Sequence, residues 1–145
     1  MSKKRSKRPA GFLNSVKLRS RAMLLPMAPA LARRISMEHH VNLEVLRSGQ
    51  GEHYHLGSLA QTGYITRLLC QHGYGTARDT LFSQLDEAFI RCRKQTEKSG
   101  IYQGDSEFCE LLGELLTLHD QQLATVPVFA LMLADDKLKK LRLEE

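Results

Sequence analysis

Apolar residues recur every three or four positions along most of this chain, and this spacing limits what the chain can fold into. The clearest example is the segment SEFCELLGELLTLHD, residues 106–120. Its apolar positions are Phe108, Leu111, Leu112, Leu115 and Leu118, with His119 on the same side. A period of 3.6 residues places all of them on one face of an α-helix. No segment requires a β-strand, so the sequence predicts an all-α fold, a bundle of four to five helices.

Capping residues, glycines and prolines divide the chain into the predicted helices. The expected starts are Ser36, a point between His53 and Ser58, Thr76, Asp105 or Ser106, and Thr125. The first helix is predicted to bury Met37, Val41 and Val45. The third is predicted to bury Leu81, Leu85, Ala88 and Cys92, and the fifth Leu131, Ala134, Leu138 and Leu141.

Charge is distributed unevenly along the chain, which has a net charge of +5. Residues 1–34 contain ten Lys or Arg and no acid, whereas residues 35–145 contain eleven Lys or Arg and sixteen acids. Residues 1–10 are too polar to pack and are expected to be disordered. Because Pro26 and Pro29 interrupt the chain, we predict a basic flexible arm over residues 1–28 and a helical bundle domain over residues 29–145.

A basic arm on a mildly acidic body is typical of a protein that contacts a polyanion. The candidate nucleic-acid-binding residues are Lys3, Lys4, Arg5, Lys7, Arg8, Lys17, Arg19, Arg21, Arg33 and Arg34. Lys and Arg that reach phosphates bind with strong salt dependence and little sequence preference. The alternatives are a solvated or targeting tail, and a membrane-surface role for residues 11–25. A second basic patch comprises Arg91, Arg93, Lys94 and Lys98.

Four of the six histidines, His39, His40, His53 and His55, fall within seventeen positions. His39 and His40 are adjacent, so on a helix their side chains diverge by about 100° and cannot bind one ion. His53 and His55 share a face only in an extended segment, and the long spacing of a zinc motif is missing. We therefore expect surface or helix-end histidines and neither a metal nor a cofactor.

Catalytic motifs such as GxSxG and HExxH do not occur in the sequence, and we expect no enzymatic activity. The three cysteines, Cys70, Cys92 and Cys109, have no CxxC spacing and are interpreted as reduced thiols in a cytoplasmic protein. No apolar run approaches the about 18 residues needed to span a membrane. The sequence leaves the oligomeric state unknown.

Three segments, EHHVNLEVLRSGQG (38–51), GYG (73–75) and LLTLHDQQLATVP (115–127), resemble small helical proteins of bacterial plasmids and integrative elements. Such proteins are sometimes labelled Fis-like transcriptional regulators. The resemblance covers roughly residues 33–130 and implies DNA binding through a C-terminal helix-turn-helix. The predicted fifth helix begins with the apolar VPVFALML, so no base-contacting residues are carried over.

These observations predict a nucleic-acid-associated accessory or regulatory protein of a mobile element, with DNA preferred over RNA as its partner. The arm would bind the phosphate backbone. The alternative is a protein-interaction module, an inhibitor or adaptor that acts through the helical body without nucleic acid. A large exposed apolar patch that includes Phe129 and Met132 would favour this alternative.

Overall fold

The computed structural model describes residues 21–144, and this part of the chain is all-helical, as predicted. Five helices are complete: α1 (Pro29–Arg47), α2 (His53–Gln71), α3 (Leu81–Ser99), α4 (Ser106–Thr125) and α5 (Val128–Glu144). Residues 21–23 are also helical, so the described residues contain six helical segments, and the predicted four to five was too low. The extra segment is separate because Pro26 cannot continue a helix and Pro29 begins the next one.

The first helix differs most from its prediction. It begins at Pro29 in place of Ser36, because a proline in the first turn loses no helical hydrogen bond. The side chains that it buries are Ala32, Asn42, Leu43 and Leu46. Met37 and Val41, predicted to face the core, are 68% and 53% exposed. The helix is rotated from the predicted orientation because the stripe through Leu43 and Leu46 packs against α4.

The second helix starts within the range that the sequence left open, whereas the predicted start of the third helix was wrong. Glu52 caps α2 in a reciprocal box, in which its backbone N donates to Nδ1 of His55 over 2.9 Å. The third helix begins at Leu81 and not at Thr76, and Gly100 follows its end with a left-handed φ of 72°. Its predicted inner face is confirmed, since Leu81, Leu85, Ala88 and Cys92 are all buried.

The fourth helix is the centre of the bundle and contacts α1, α2 and α3. Asp105 caps it, and the carboxylate accepts a hydrogen bond of 2.8 Å from the backbone N of Phe108. Every residue predicted for its broad apolar face is buried, and Leu112 and Leu115 are 0% exposed. Removing this much apolar surface from water is the main stabilising contribution to such a core.

The fifth helix packs on α2 and forms a smaller apolar cluster there. Ala134 and Leu138 are buried as predicted, but Leu141 is 43% exposed and Leu131 only half-buried. The chain before α1 is tied to this end of the bundle, since the backbone N of Val128 donates to O of Leu25 over 3.0 Å. No helix within residues 21–144 is long and apolar enough to cross a membrane.

Candidate functional site

Seven of the ten candidate nucleic-acid-binding residues lie in residues 1–20, outside the described part of the chain: Lys3, Lys4, Arg5, Lys7, Arg8, Lys17 and Arg19. The other three, Arg21, Arg33 and Arg34, are exposed. Nε of Arg34 lies 3.8 Å from Oε1 of Glu38, in a solvated pair one helical turn apart. Such pairs contribute at most about 0.5 kcal/mol, so a phosphate can compete for Arg34.

Arg33 lines a shallow groove of about 510 Å³ between the start of α1 and the end of α4. Met37 and Asp120 line the same groove. The groove therefore combines a guanidinium, an apolar side chain and a carboxylate. The carboxylate of Asp120 lowers the positive potential around Arg33.

The second basic patch is weakened by an ion pair that the sequence did not predict. Arg91 donates to both carboxylate oxygens of Asp105, over 2.7 and 3.2 Å, and Glu107 lies 3.5 Å from the same guanidinium. Hydrogen bonding to Arg91 holds the pKa of Asp105 below its usual value. The same carboxylate caps α4, so the guanidinium of Arg91 stabilises the start of that helix. The other three residues of the patch, Arg93, Lys94 and Lys98, are exposed.

The four clustered histidines separate into three environments. His53 is exposed at the start of α2, and His55 belongs to the capping box of that helix. Both positions agree with the predicted helix-end role. His40 donates from Nε2 to Oδ2 of Asp120 over 2.8 Å, since a carboxylate can only accept.

His39 contradicts the prediction of a surface position. Its ring packs against that of His119 with the centroids 5.4 Å apart, and its Nδ1 is buried with no partner among the described residues. Burial lowers the pKa of His39, although the nearby carboxylates of Asp120 and Glu38 act in the opposite direction. The sequence pattern predicted that α1 buries the face with Met37 and Val41. Because this prediction was wrong, His39 was predicted to lie on the exposed face.

A buried polar network surrounds His119, which is 4% exposed. Thr66 donates its hydroxyl hydrogen to O of Thr62 over 2.7 Å, so its oxygen can only accept from Nδ1 of His119, 3.1 Å away. Oε1 of Gln122 lies 3.1 Å from the same nitrogen and also accepts. His119 therefore carries a hydrogen on Nδ1.

Gln122 completes this network from the amide side. Its Nε2 donates to O of Thr66 over 3.1 Å and to O of Tyr74 over 2.9 Å. The amide thus ties α4 to the end of α2 and to the loop after it. Burial lowers the pKa of His119 to about 4, so the imidazole stays uncharged at neutral pH. These contacts describe a structural network that fixes the register of α2 against α4.

The His40–Asp120 pair resembles the orienting half of a catalytic triad, which also needs a nucleophile. No Ser, Thr or Cys of residues 21–144 forms a hydrogen bond to His40. Within the same residues, no three His, Cys, Asp or Glu side chains are placed to hold a metal ion. Oδ1 of Asp120 is buried without a partner in this part of the chain, beside the groove that holds Arg33.

The sequence contains a pattern that indicates the buried network. Thr62 and Thr66 lie one turn apart on the buried side of α2, and His119 and Gln122 lie three residues apart on the buried side of α4. Polar residues at helical spacing within two apolar faces indicate an interhelical hydrogen-bond network. Pairing these two faces requires knowledge of which helices touch.

No protein-family model, curated protein or solved structure matches this chain. The resemblance to Fis-like proteins stays a prediction.

Proposed function

We propose that the protein binds nucleic acid, duplex DNA in preference to RNA, through phosphate contacts made by its N-terminal cations. The single observation that carries this proposal is the division of charge between ten cations without an acid in residues 1–34 and an acidic remainder. Each phosphate contact releases condensed counterions, which makes such an arm effective at low salt. An accessory or regulatory role on a mobile element follows from the sequence resemblance alone.

The ion pairs of the helical body support this division of roles. Arg67, Arg78 and Arg91 lie within 3.3 Å of carboxylates, those of Asp86, Glu114 and Asp105 respectively. Their charge is compensated within the body itself. Arg21 and Arg33 are exposed where the described chain begins and continue the basic segment onto the bundle.

Salt-dependent binding by the full-length protein tests the proposal. Fluorescence anisotropy with duplex DNA, single-stranded DNA and RNA should show a logarithmic salt slope of about −0.9 per phosphate on the duplex. If five to seven arm cations are engaged, the slope should lie between about −4.5 and −6.3. Changing Lys3, Lys4 and Arg5 to Gln should flatten it by about 2.7, one unit of 0.9 for each lost contact.

A matched control removes the same charge from the other end of the chain. Lys137, Lys140 and Arg142, all exposed on α5, are changed to Gln in the control variant. This variant should bind with the wild-type slope. Equal loss from both triple variants would indicate that only net charge matters. Absence of binding at low salt would reject the proposal.

A second candidate function, protein interaction, is favoured by the outer face of α5. Met132, Leu133 and Leu143 are 49%, 57% and 88% exposed there. Phe129 is half-buried and lines a groove of about 220 Å³ between α2 and α5 together with Leu133. Exposed apolar residues that lie close together are typical of protein contacts. Changing Met132 and Leu133 to Ser should abolish capture of a protein partner and leave DNA binding unchanged.

A further inference from the structure

The outer face of α3 has an unusual charge arrangement around its central residue. Ile90 is the middle residue of the helix, which runs from Leu81 to Ser99, and is 50% exposed. Residues three, four and seven positions away share its face on a helix. These residues, all exposed, are Ser83, Asp86, Glu87, Arg93, Lys94 and Glu97. We call these six together with Ile90 the α3 outer face.

Charge on the α3 outer face changes sign at Ile90. Asp86 and Glu87 lie four and three residues before it, and Lys94 and Arg93 lie four and three residues after it. Each acid is thus matched by a base at the same distance on the other side. A two-fold axis through Ile90 would place an antiparallel copy of this helix with each of these acids opposite a base.

The side chains of this face have few partners within the chain. Within residues 21–144, Glu87, Arg93 and Lys94 form no ion pair within 4.0 Å, and Asp86 has only a solvated contact of 3.3 Å with Arg67. Arg91, in contrast, points away from Ile90 and is held by Asp105. The charges around Ile90 are therefore available to another molecule.

An apolar groove lies beside the charged residues. It has a volume of about 430 Å³ between α2 and α3, and its lining includes Tyr64, Phe82, Phe89 and Ile90. A second groove of about 560 Å³ shares Ala60, Phe89 and Arg93 with it, so the two are continuous along α3. Exposed ion pairs contribute little by themselves, so this groove must supply the apolar burial of any complex.

We propose that the α3 outer face binds the same face of a second copy of this chain, with the two α3 helices antiparallel. Ile90 meets Ile90 of the second copy on the two-fold axis. Successive residues are rotated by 100° along a helix, so Asp86 then lies opposite Arg93, and Glu87 opposite Lys94, which gives four ion pairs in the dimer. Glu97 lies opposite the uncharged Ser83 and opposes no like charge.

The charge pattern favours this occupant over others. A nucleic acid would meet Asp86 and Glu87, which repel phosphate, and a uniformly acidic or basic protein would match only half of the face. A two-fold interface must be self-complementary, and a change of sign at the centre of a helix meets that requirement. With Ile90 and the adjoining groove as the apolar contact and exposed charges around them, the dimer should be reversible and weakened by salt.

Charge reversal tests the proposal on the full-length protein without nucleic acid. Sedimentation velocity at low salt should show a concentration-dependent dimer. Glu87→Arg and Lys94→Glu should each lower the association constant by at least about tenfold, because each places two like-charge contacts in the dimer. The double variant, with both changes in one chain, should regain the wild-type constant.

The two single variants also form their own matched control. Mixed in equal amounts, they should give a heterodimer, because the arginine introduced at position 87 of one then faces the glutamate introduced at position 94 of the other. Circular dichroism should show unchanged helix content, since both substituted positions are exposed. A wild type that stays monomeric at about 0.5 mM and low salt, or single variants that dimerise as well as wild type, would overturn the proposal. The outcome is independent of DNA binding by the arm, which is measured separately.

Discussion

The imidazole ring of His39 packs against that of His119, with the ring centroids 5.4 Å apart and the planes tilted by 45°. His39 belongs to α1 and His119 to α4, so the contact lies in the interface between the two helices. Burial lowers the pKa of both rings, that of His119 to about 4. Two neutral imidazoles can share this site, whereas a proton on either would place a charge inside the bundle.

Acid should therefore destabilise the protein through His119. The folded state holds its pKa near 4, below the ordinary value of 6.5, so between these values the unfolded chain binds more protons. The stabilisation is complete above about pH 6.5, and about 2 kcal/mol of it should be lost by about pH 5. Urea unfolding across this range should show a smaller pH dependence for His119→Gln. The exposed control His53→Gln should retain the wild-type dependence; equal flattening in both variants would contradict this assignment.

Two substitutions test the orientation of the helices against the core. Leu115→Ala, on the fully buried face of α4, should lower the free energy of unfolding by about 2–5 kcal/mol through lost burial and a cavity. Met37→Ala should change it by less than about 0.5 kcal/mol, because Met37 is exposed. Urea midpoints measure both changes. A large cost at Met37 would mean that α1 faces the core as the sequence pattern predicted.

The cap of α4 can be separated from its ion pair by substitution at Asp105. Asp105→Ala removes the hydrogen bond to the backbone N of Phe108 and should cost about 1 kcal/mol. Asp105→Asn keeps a capping oxygen but loses the charge facing Arg91, and should cost less. The Arg91 contact lowers the pKa of Asp105, so the wild-type cap should persist at neutral pH and weaken only as pH falls through that lowered pKa. Equal costs for the two variants would show that the ion pair dominates.

Substitution by alanine at two glycines should change the free energy of unfolding in opposite directions. Gly57 lies inside α2, and a Cβ there would meet nothing within 4 Å, so Gly57→Ala should raise the free energy of unfolding by about 0.5–1 kcal/mol. A Cβ on Gly51 would lie 2.9 Å from the backbone O of Tyr102, and Gly51→Ala should lower stability by about 1–3 kcal/mol. Thermal melts of the two variants should shift in opposite directions. Destabilisation by Gly57→Ala would reveal a contact over α2.

Helix α4 shows which structural features can be predicted from local sequence spacing. Its cap, predicted at Asp105 or Ser106, and its buried face from Phe108 to His119 followed from local spacing, because a long and broad apolar face has only one way to be buried. The candidate cations of the arm also followed from the sequence, through the absence of acids before residue 35. Most of these cations lie in residues 1–20, outside the described part of the chain.

Helix α1 shows that local spacing alone cannot predict which face of a helix is buried. Its sequence carries two apolar stripes, one through Met37 and Val41 and one through Leu43 and Leu46, and both have helical spacing. The contacts of α1 with α4 and α2 selected the second stripe, and that choice brought His39 to His119. The ion pair between Arg91 and Asp105 also depends on tertiary structure, because the loop between α3 and α4 brings the start of α4 next to α3.

The sequence by itself determined that the chain forms helices, roughly where most of them end, and that positive charge collects before residue 35. These properties depend on neighbours within one or two helical turns. The tertiary structure decided which stripe of α1 is buried, that His119 is neutral, and which arginines are compensated. These depend on residues far apart in sequence, such as Thr66 and His119, whose contact exists only after the helices have packed.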